Sequence, residues 1–257
     1  MIEVLKKVAK EAGEIVKEGY YAKKDITHKG VVDLVTNYDV MCEEFVISAL
    51  KDKFSDYTII GEESCVSTIF NSPKAIYIDP IDGTTNFIHG IPHFAISIGV
   101  WEDGTPVMAV VYNPILDEMY FATRGEGAYC NGKKLSVSNQ DTLQQALIGT
   151  GFPYAKVNRG VEYKWVIESI TNLLPNIRDI RRLGAASLDL CYLAEGKIDA
   201  FYEIDLKPWD IAGGILIVLE AGGEISSISK EYNFKDKVIV ASNSKVHKEL
   251  LSYLPLI

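Results

Sequence analysis

Apolar residues return at three- and four-residue steps at the start of the chain. Leu5, Val8, Ala12, Ile15 and Val16 alternate with lysines and glutamates, which predicts an amphipathic helix to about Tyr20. Met41, Phe45, Val46 and Ala49 carry a second helical stripe over residues 38–53. The polar stretch from Lys23 to Asn37 between them holds Gly30 and reads as a loop.

From Tyr57 the pattern turns to short β-branched and aromatic runs: Tyr57 to Ile60, Ala75 to Ile78, Ala95 to Trp101, Val107 to Tyr112 and Met119 to Ala122. Asp103-Gly104 and Asn131-Gly132 are hairpin turns, so much of this sheet is expected to be antiparallel. After about residue 140 strands and helices alternate. Ala146 to Thr150 and Ala200 to Glu203 read as strands, while 159–174, 186–196 and 209–222 read as helices, the last closed by Gly222-Gly223. The expected division is an N-terminal α+β half over residues 1–140 and a C-terminal α/β half over 141–257. No repeat or low-complexity linker separates them.

Composition narrows the class. With 257 residues, 47% of them hydrophobic, the chain can bury a full core. Asp and Glu number 35 against 26 Lys and Arg, a formal charge of -9, which argues against nucleic acid held through its phosphates. An acidic protein that binds an anion must reverse the field locally, with cations, helix N-termini or a basic cluster. The four cysteines, Cys42, Cys65, Cys130 and Cys191, lie far apart with no C-x-x-C pair and are expected to be reduced. The four histidines show no ligand spacing. The charged first helix is unlike a signal peptide, and no apolar run reaches the roughly 20 residues of a membrane span. The expectation is a soluble cytoplasmic protein with no nucleic-acid or membrane partner.

The densest chemical signal is Asp79-Pro80-Ile81-Asp82-Gly83-Thr84-Thr85-Asn86, directly after an apolar strand. Two carboxylates three residues apart at a strand end can point into one cleft, where their repulsion calls for a cation. Hard oxygen ligands select magnesium, manganese or calcium over zinc. Gly83 allows close backbone approach, and Gly83 to Thr85 can open a short helix whose free N–H groups hold a phosphate. The same residue types also make ordinary surface turns. Gly61-Glu62-Glu63-Ser64 ends another strand and could equally be solvated decoration. In Trp209-Asp210-Ile211-Ala212-Gly213-Gly214 the acid could simply cap a helix.

The combination is more specific than its parts. Together with Asp33-Leu34-Val35-Thr36-Asn37-Tyr38-Asp39, Gly151-Phe152-Pro153-Tyr154, Arg182-Leu183-Gly184-Ala185-Ala186 and Phe201-Tyr202-Glu203, these motifs resemble the inositol monophosphatase family in order and spacing to about Gly223. The resemblance implies a layered α/β sandwich (α-β-α-β-α), with an antiparallel sheet in the N-terminal half and a mixed sheet in the C-terminal half. It implies a homodimer and two or three Mg2+ ions held by Glu63, Asp79, Asp82, Asp210 and the Ile81 carbonyl. Asp39 and Thr84 then orient and deprotonate a metal-activated water, and the 23–37 loop orders when metal and substrate bind.

Substrate contacts carried by the resemblance are Asp82, Gly83, Thr84, Gly184, Ala185, Ala186 and Glu203, with Arg182 and Lys29 as basic additions. The implied substrate is a small phosphorylated sugar or polyol, inositol monophosphate and also fructose 1,6-bisphosphate. A second phosphate would need a basic contact from Arg181, Arg182, Arg178 or Lys207. One alternative is a 3'-phosphoadenosine-5'-phosphate phosphatase, with Tyr154, Tyr163 or Trp165 stacking the adenine. Another is a regulatory binding protein of the same fold.

Overall fold

The computed structural model describes residues 1–28, 34–65 and 72–257, so Lys29, Gly30 and Asp33 lie outside the described residues. The two N-terminal stripes form α1 (Ile2–Tyr21) and α2 (Asn37–Lys51). The stretch between them, read from sequence as a loop, contains two short antiparallel strands, β1 (Ile26–His28) and β2 (Leu34–Thr36), with Ile26 opposite Thr36. Three residues are too few for a periodic signal.

A seven-stranded sheet follows: β3 (Thr58–Gly61), β4 (Lys74–Asp82), β5 (Ala95–Glu102), β6 (Thr105–Asn113), β7 (Glu118–Thr123), β8 (Gly127–Cys130) and β9 (Lys133–Lys134), in sequence order. All neighbours are antiparallel except β3 and β4, which run parallel with Gly61 opposite Ile78. Asp103-Gly104 and Asn131-Gly132 close hairpins with φ of 48° and 73°, and 49° and 82°, the positive pair that a two-residue turn matching strand twist requires.

The second sheet has order β11 (Asp179–Arg181), β10 (Leu147–Thr150), β12 (Ala200–Ile204), β14 (Val238–Ser242), β13 (Glu224–Ser226). It is mixed: β10 is parallel to β11 and β12, and β14 is antiparallel to β12 and β13.

Alternation along the strands creates the layers. On β4, Ile76 and Ile78 join Leu5, Val8, Val16 and Val46 of α1 and α2 in one core. Ala75 and Tyr77 face the other way, into a core shared with α5 (Ala186–Ala194) and α6 (Pro208–Glu220). Phe201, Ile239 and Ala241 of the second sheet complete that middle core. On its outer face Ile148, Tyr202 and Val240 pack with Trp165 and Val166 of α4 (Val161–Leu173) and Leu250 of α7 (His247–Leu251). The result is a layered α/β sandwich.

Gly99 on β5 sets how closely α6 approaches: a Cβ there would sit 2.6 Å from the Ala212 carbonyl carbon. Among the described residues no helix is long and apolar enough to cross a membrane.

Candidate active site

The acids converge because two parallel strands end together. Gly61 opposite Ile78 makes Glu62 and Asp79 the next pair, and the Glu62 N–H donates to the Ile78 carbonyl at 3.1 Å. Asp210 arrives from the first turn of α6, where its Oδ2 accepts the Lys207 N–H at 2.7 Å. Carboxylate oxygens of Glu62, Asp79 and Asp210 all lie within 4.8 Å of one another.

Of the two adjacent glutamates, the structure brings Glu62 into this group, and Glu63, which the sequence reading chose, is not among its three members. Neighbouring residues at a strand end face opposite sides. The loop is held in that orientation by buried Glu43, which accepts the N–H of Glu63 and of Ser64 at 2.8 Å each. The lost signal was register: aligning Thr58–Gly61 with Ala75 to Ile78 in parallel places Glu62, and not its neighbour, beside Asp79.

Asp79 Oδ1 accepts the Ile81 N–H at 3.0 Å. Asp82 stands in the same cleft, where its Oδ2 accepts the N–H and hydroxyl of Ser187 at 2.7 and 2.5 Å, near the start of α5. Burial pushes the Asp82 carboxyl up to about 6 against the pull of those two bonds. Burial, then repulsion from Glu62 and from other acids, holds Asp79 and Asp210 well above the usual carboxylate range. Such a group is costly to keep ionised without a cation. Its donors are all oxygen, so the residues fit a hard divalent ion such as magnesium.

Beside the acids lies a hydroxyl–carboxylate pair. Thr84 Oγ1 sits 3.1 Å from Asp39 Oδ1 and 2.9 Å from the Ile81 carbonyl, with a proton to donate to either. Asp39 Oδ2 accepts the N–H and hydroxyl of Thr36 at 2.8 and 2.6 Å, the reciprocal cap of α2. Asp39 is 1% exposed, and burial pushes its carboxyl up to about 6. Gly83, at φ 92°, turns the chain between Asp82 and Thr84, the first residue of α3 (Thr84–Ile88), and an added Cβ would lie a tight 3.1 Å from both Ala185 and the His93 carbonyl.

Glu62, Asp79, Ile81, Asp82, Thr84 and Asp210 line a cleft of about 800 Å³. Gly184, Ala185, Ala186, Glu203 and Arg182 form part of its wall. Asn86 secures that wall by donating to the Leu183 and His93 carbonyls at 2.9 and 2.7 Å. Glu203 is buried against Gly151, where a Cβ would lie 1.9 Å from its Oε1. Lys29 falls outside the described residues. Lys156, which no sequence motif marked, also lines the cleft. Of the aromatic residues considered for adenine, Tyr154 lines the cleft, whereas Trp165 is buried and donates its indole N–H to the Pro255 carbonyl at 2.8 Å.

Comparison with known proteins places this fold and cleft in a class, the phosphoric monoester hydrolases. The chain belongs to the inositol monophosphatase family, whose family model matches residues 1–255. It is 40% identical over 262 residues to inositol monophosphatase 3 of Solanum lycopersicum, covering 98% of this chain and 96% of that protein. The Nus factor SuhB of Pasteurella multocida is 38% identical over 255 residues, covering 98% and 94%. The crystal structure of the extragenic suppressor protein suhB from Bartonella henselae superposes with a TM-score of 0.90 at 34% identity, covering 98% of this chain and 96% of that one.

Proposed function

We propose that this chain is a magnesium-dependent phosphomonoesterase that hydrolyses inositol monophosphate and, in the same cleft, fructose 1,6-bisphosphate. The observation that carries the reading is the convergence of Glu62, Asp79 and Asp210 beside the Thr84–Asp39 pair. The name of the tomato relative supports inositol monophosphate as a substrate.

Two or three Mg2+ ions would be held by Glu62, Asp79, Asp82, Asp210 and the Ile81 carbonyl. When bound, they supply positive charge to the transferring phosphoryl group and acidify water. Thr84 Oγ1 is placed to take a proton from the attacking water as its own proton passes to Asp39. A carboxyl near 6 is a competent acceptor close to neutral pH. Glu203 and the backbone from Gly184 to Ala186 offer hydrogen bonds to the hydroxyls of a polyol. The proposal includes a homodimer, which the exposed apolar side chains Tyr163, Ile167 and Leu174 on and beside α4 support.

The test is phosphate release from inositol 1-phosphate, with magnesium or EDTA, for wild type and Asp210→Asn. Turnover that needs magnesium and is lost in the variant is expected. Wild-type turnover undiminished in EDTA would overturn the metal assignment.

A further inference from the structure

The cleft is lined by groups of both signs. The acids Glu62, Asp79 and Asp210 meet in it and make its acid end. Its wall also carries Lys156, in the short 3-10 turn Tyr154–Asn158, and Arg182, just after β11. The guanidinium of Arg182 lies over the Phe152 ring at 5.3 Å from its centroid and against Gly184, where a Cβ would come within 2.5 Å of it. It therefore rests on the cleft wall at a defined place.

Two of the other basic residues considered for a second phosphate are already paired with acids. Arg181 pairs with Asp179 at 2.5 Å and Lys207 with Asp205 at 3.1 Å. Among the described residues neither Lys156 nor Arg182 forms an ion pair, although both line a cleft. The ammonium of Lys156 is disfavoured by partial burial and by the charge of Arg182, and it is favoured by Glu203. Burial and then Asp189 hold the Glu203 carboxyl well above the usual range, with Asp210 and Asp82 adding to the effect and Arg182 opposing it, so its carboxylate is favoured by the same cation that lines the wall. Two like charges held together in a cleft, with one shared acid, form a site whose cost a bound anion would relieve.

We propose that Lys156 and Arg182 form a second anion subsite that selects phosphate esters carrying a further phosphate group. The ester to be cleaved sits at the acid end, the sugar spans Glu203, and the retained phosphate is held by the ammonium and guanidinium. Specificity for a bisphosphate over a monophosphate is then set outside the metal-binding end. This rests on the phosphatase reading above.

The test compares fructose 1,6-bisphosphate with fructose 1-phosphate, the same sugar with and without the distal group, in wild type and Lys156→Gln. The ratio of kcat/KM for the bisphosphate over the monophosphate should fall at least tenfold in the variant, through KM, while thermal melting confirms that it is folded. A ratio that stays constant, whether or not both values fall, overturns the subsite. If neither ester is turned over by the wild type while inositol 1-phosphate is, the fructose bisphosphatase part of the reading fails; if none of the three is, the phosphatase reading fails. The subsite is then read by calorimetric binding of fructose 6-phosphate in EDTA, where the acid end repels phosphate. Wild-type binding weakened at least tenfold by Lys156→Gln supports it; absent binding, or equal binding by the two proteins, overturns it.

Discussion

Asp39 serves two partners with its two oxygens: Oδ2 closes the cap of α2 on Thr36, and Oδ1 lies 3.1 Å from the Thr84 hydroxyl. A helix cap thus fixes the orientation of the proposed proton acceptor. Replacing Asp39 with Asn keeps the shape but removes the basicity. We expect kcat to fall by about 10² to 10⁴, with the folded state retained. Steady-state kinetics and thermal melting check these in turn. A kcat within threefold of wild type would remove Asp39 from the proton path.

The assignment of Glu62 over Glu63 is open to direct measurement. In calorimetric titration with magnesium, Glu62→Gln should weaken apparent affinity at least tenfold, because it deletes a charge from the converging group. Glu63→Gln should change affinity about twofold or less. The reverse ranking would restore Glu63 and imply that the 61–64 turn is oriented differently in solution.

The crowded acids should give protein stripped with EDTA an unusual dependence on pH. Asp39 and Asp82 are pushed up to about 6 in the fold, above the value of an unfolded aspartate. Their stabilising contribution is complete below about pH 4 and is lost as the pH rises through 6, on the order of 3 kcal/mol for each group. Buried His247 acts with the opposite sign: burial lowers its pKa, so its contribution is lost as the pH falls. The difference in melting temperature between wild type and an Asp39→Asn, Asp82→Asn double variant isolates the carboxylates. Wild type should lose ground to the double variant between pH 4.5 and 7.5 in EDTA, and saturating magnesium should shrink or reverse that loss. A difference independent of pH in EDTA would contradict the burial of these charges.

Gly99→Ala tests how α6 delivers Asp210. The added methyl meets backbone of Ala212 at 2.6 Å, and backbone cannot swing aside. Overpacking of this kind costs about 1–3 kcal/mol, and it pushes the helix that carries Asp210. We expect magnesium affinity to fall together with the melting temperature. Lowered stability with unchanged affinity would show that Asp210 is positioned independently of this contact.

The helical stripes of α1 and α2 and the Asp-Gly and Asn-Gly turns were legible because each is a local pattern. The second sheet was only partly legible: β11, β13 and β14 are short or lie beyond the motifs, and the five residues of α7 are too few to show a helical stripe. The site shows the same limit. Asp79 and Asp82 sit in a dense motif, and Asp210 lies in one of its own. Choosing between two adjacent glutamates required the register of β3 on β4, which is information held between strands. Lys156 carries no motif, and its relation to Arg182 arises only when the segment after Gly151 folds against Glu203.

The dependence on α6 has a consequence during synthesis. A chain emerging from its N-terminus can pair β3 with β4 and bring Glu62 beside Asp79 while Asp210 has yet to be made. Until α5 and α6 dock, Asp82 lacks the Ser187 donors and the metal site lacks Asp210. Nascent or C-terminally truncated chains should therefore hold magnesium weakly and have no phosphatase activity to release in the wrong place. Completion of the polypeptide is what switches this cleft on.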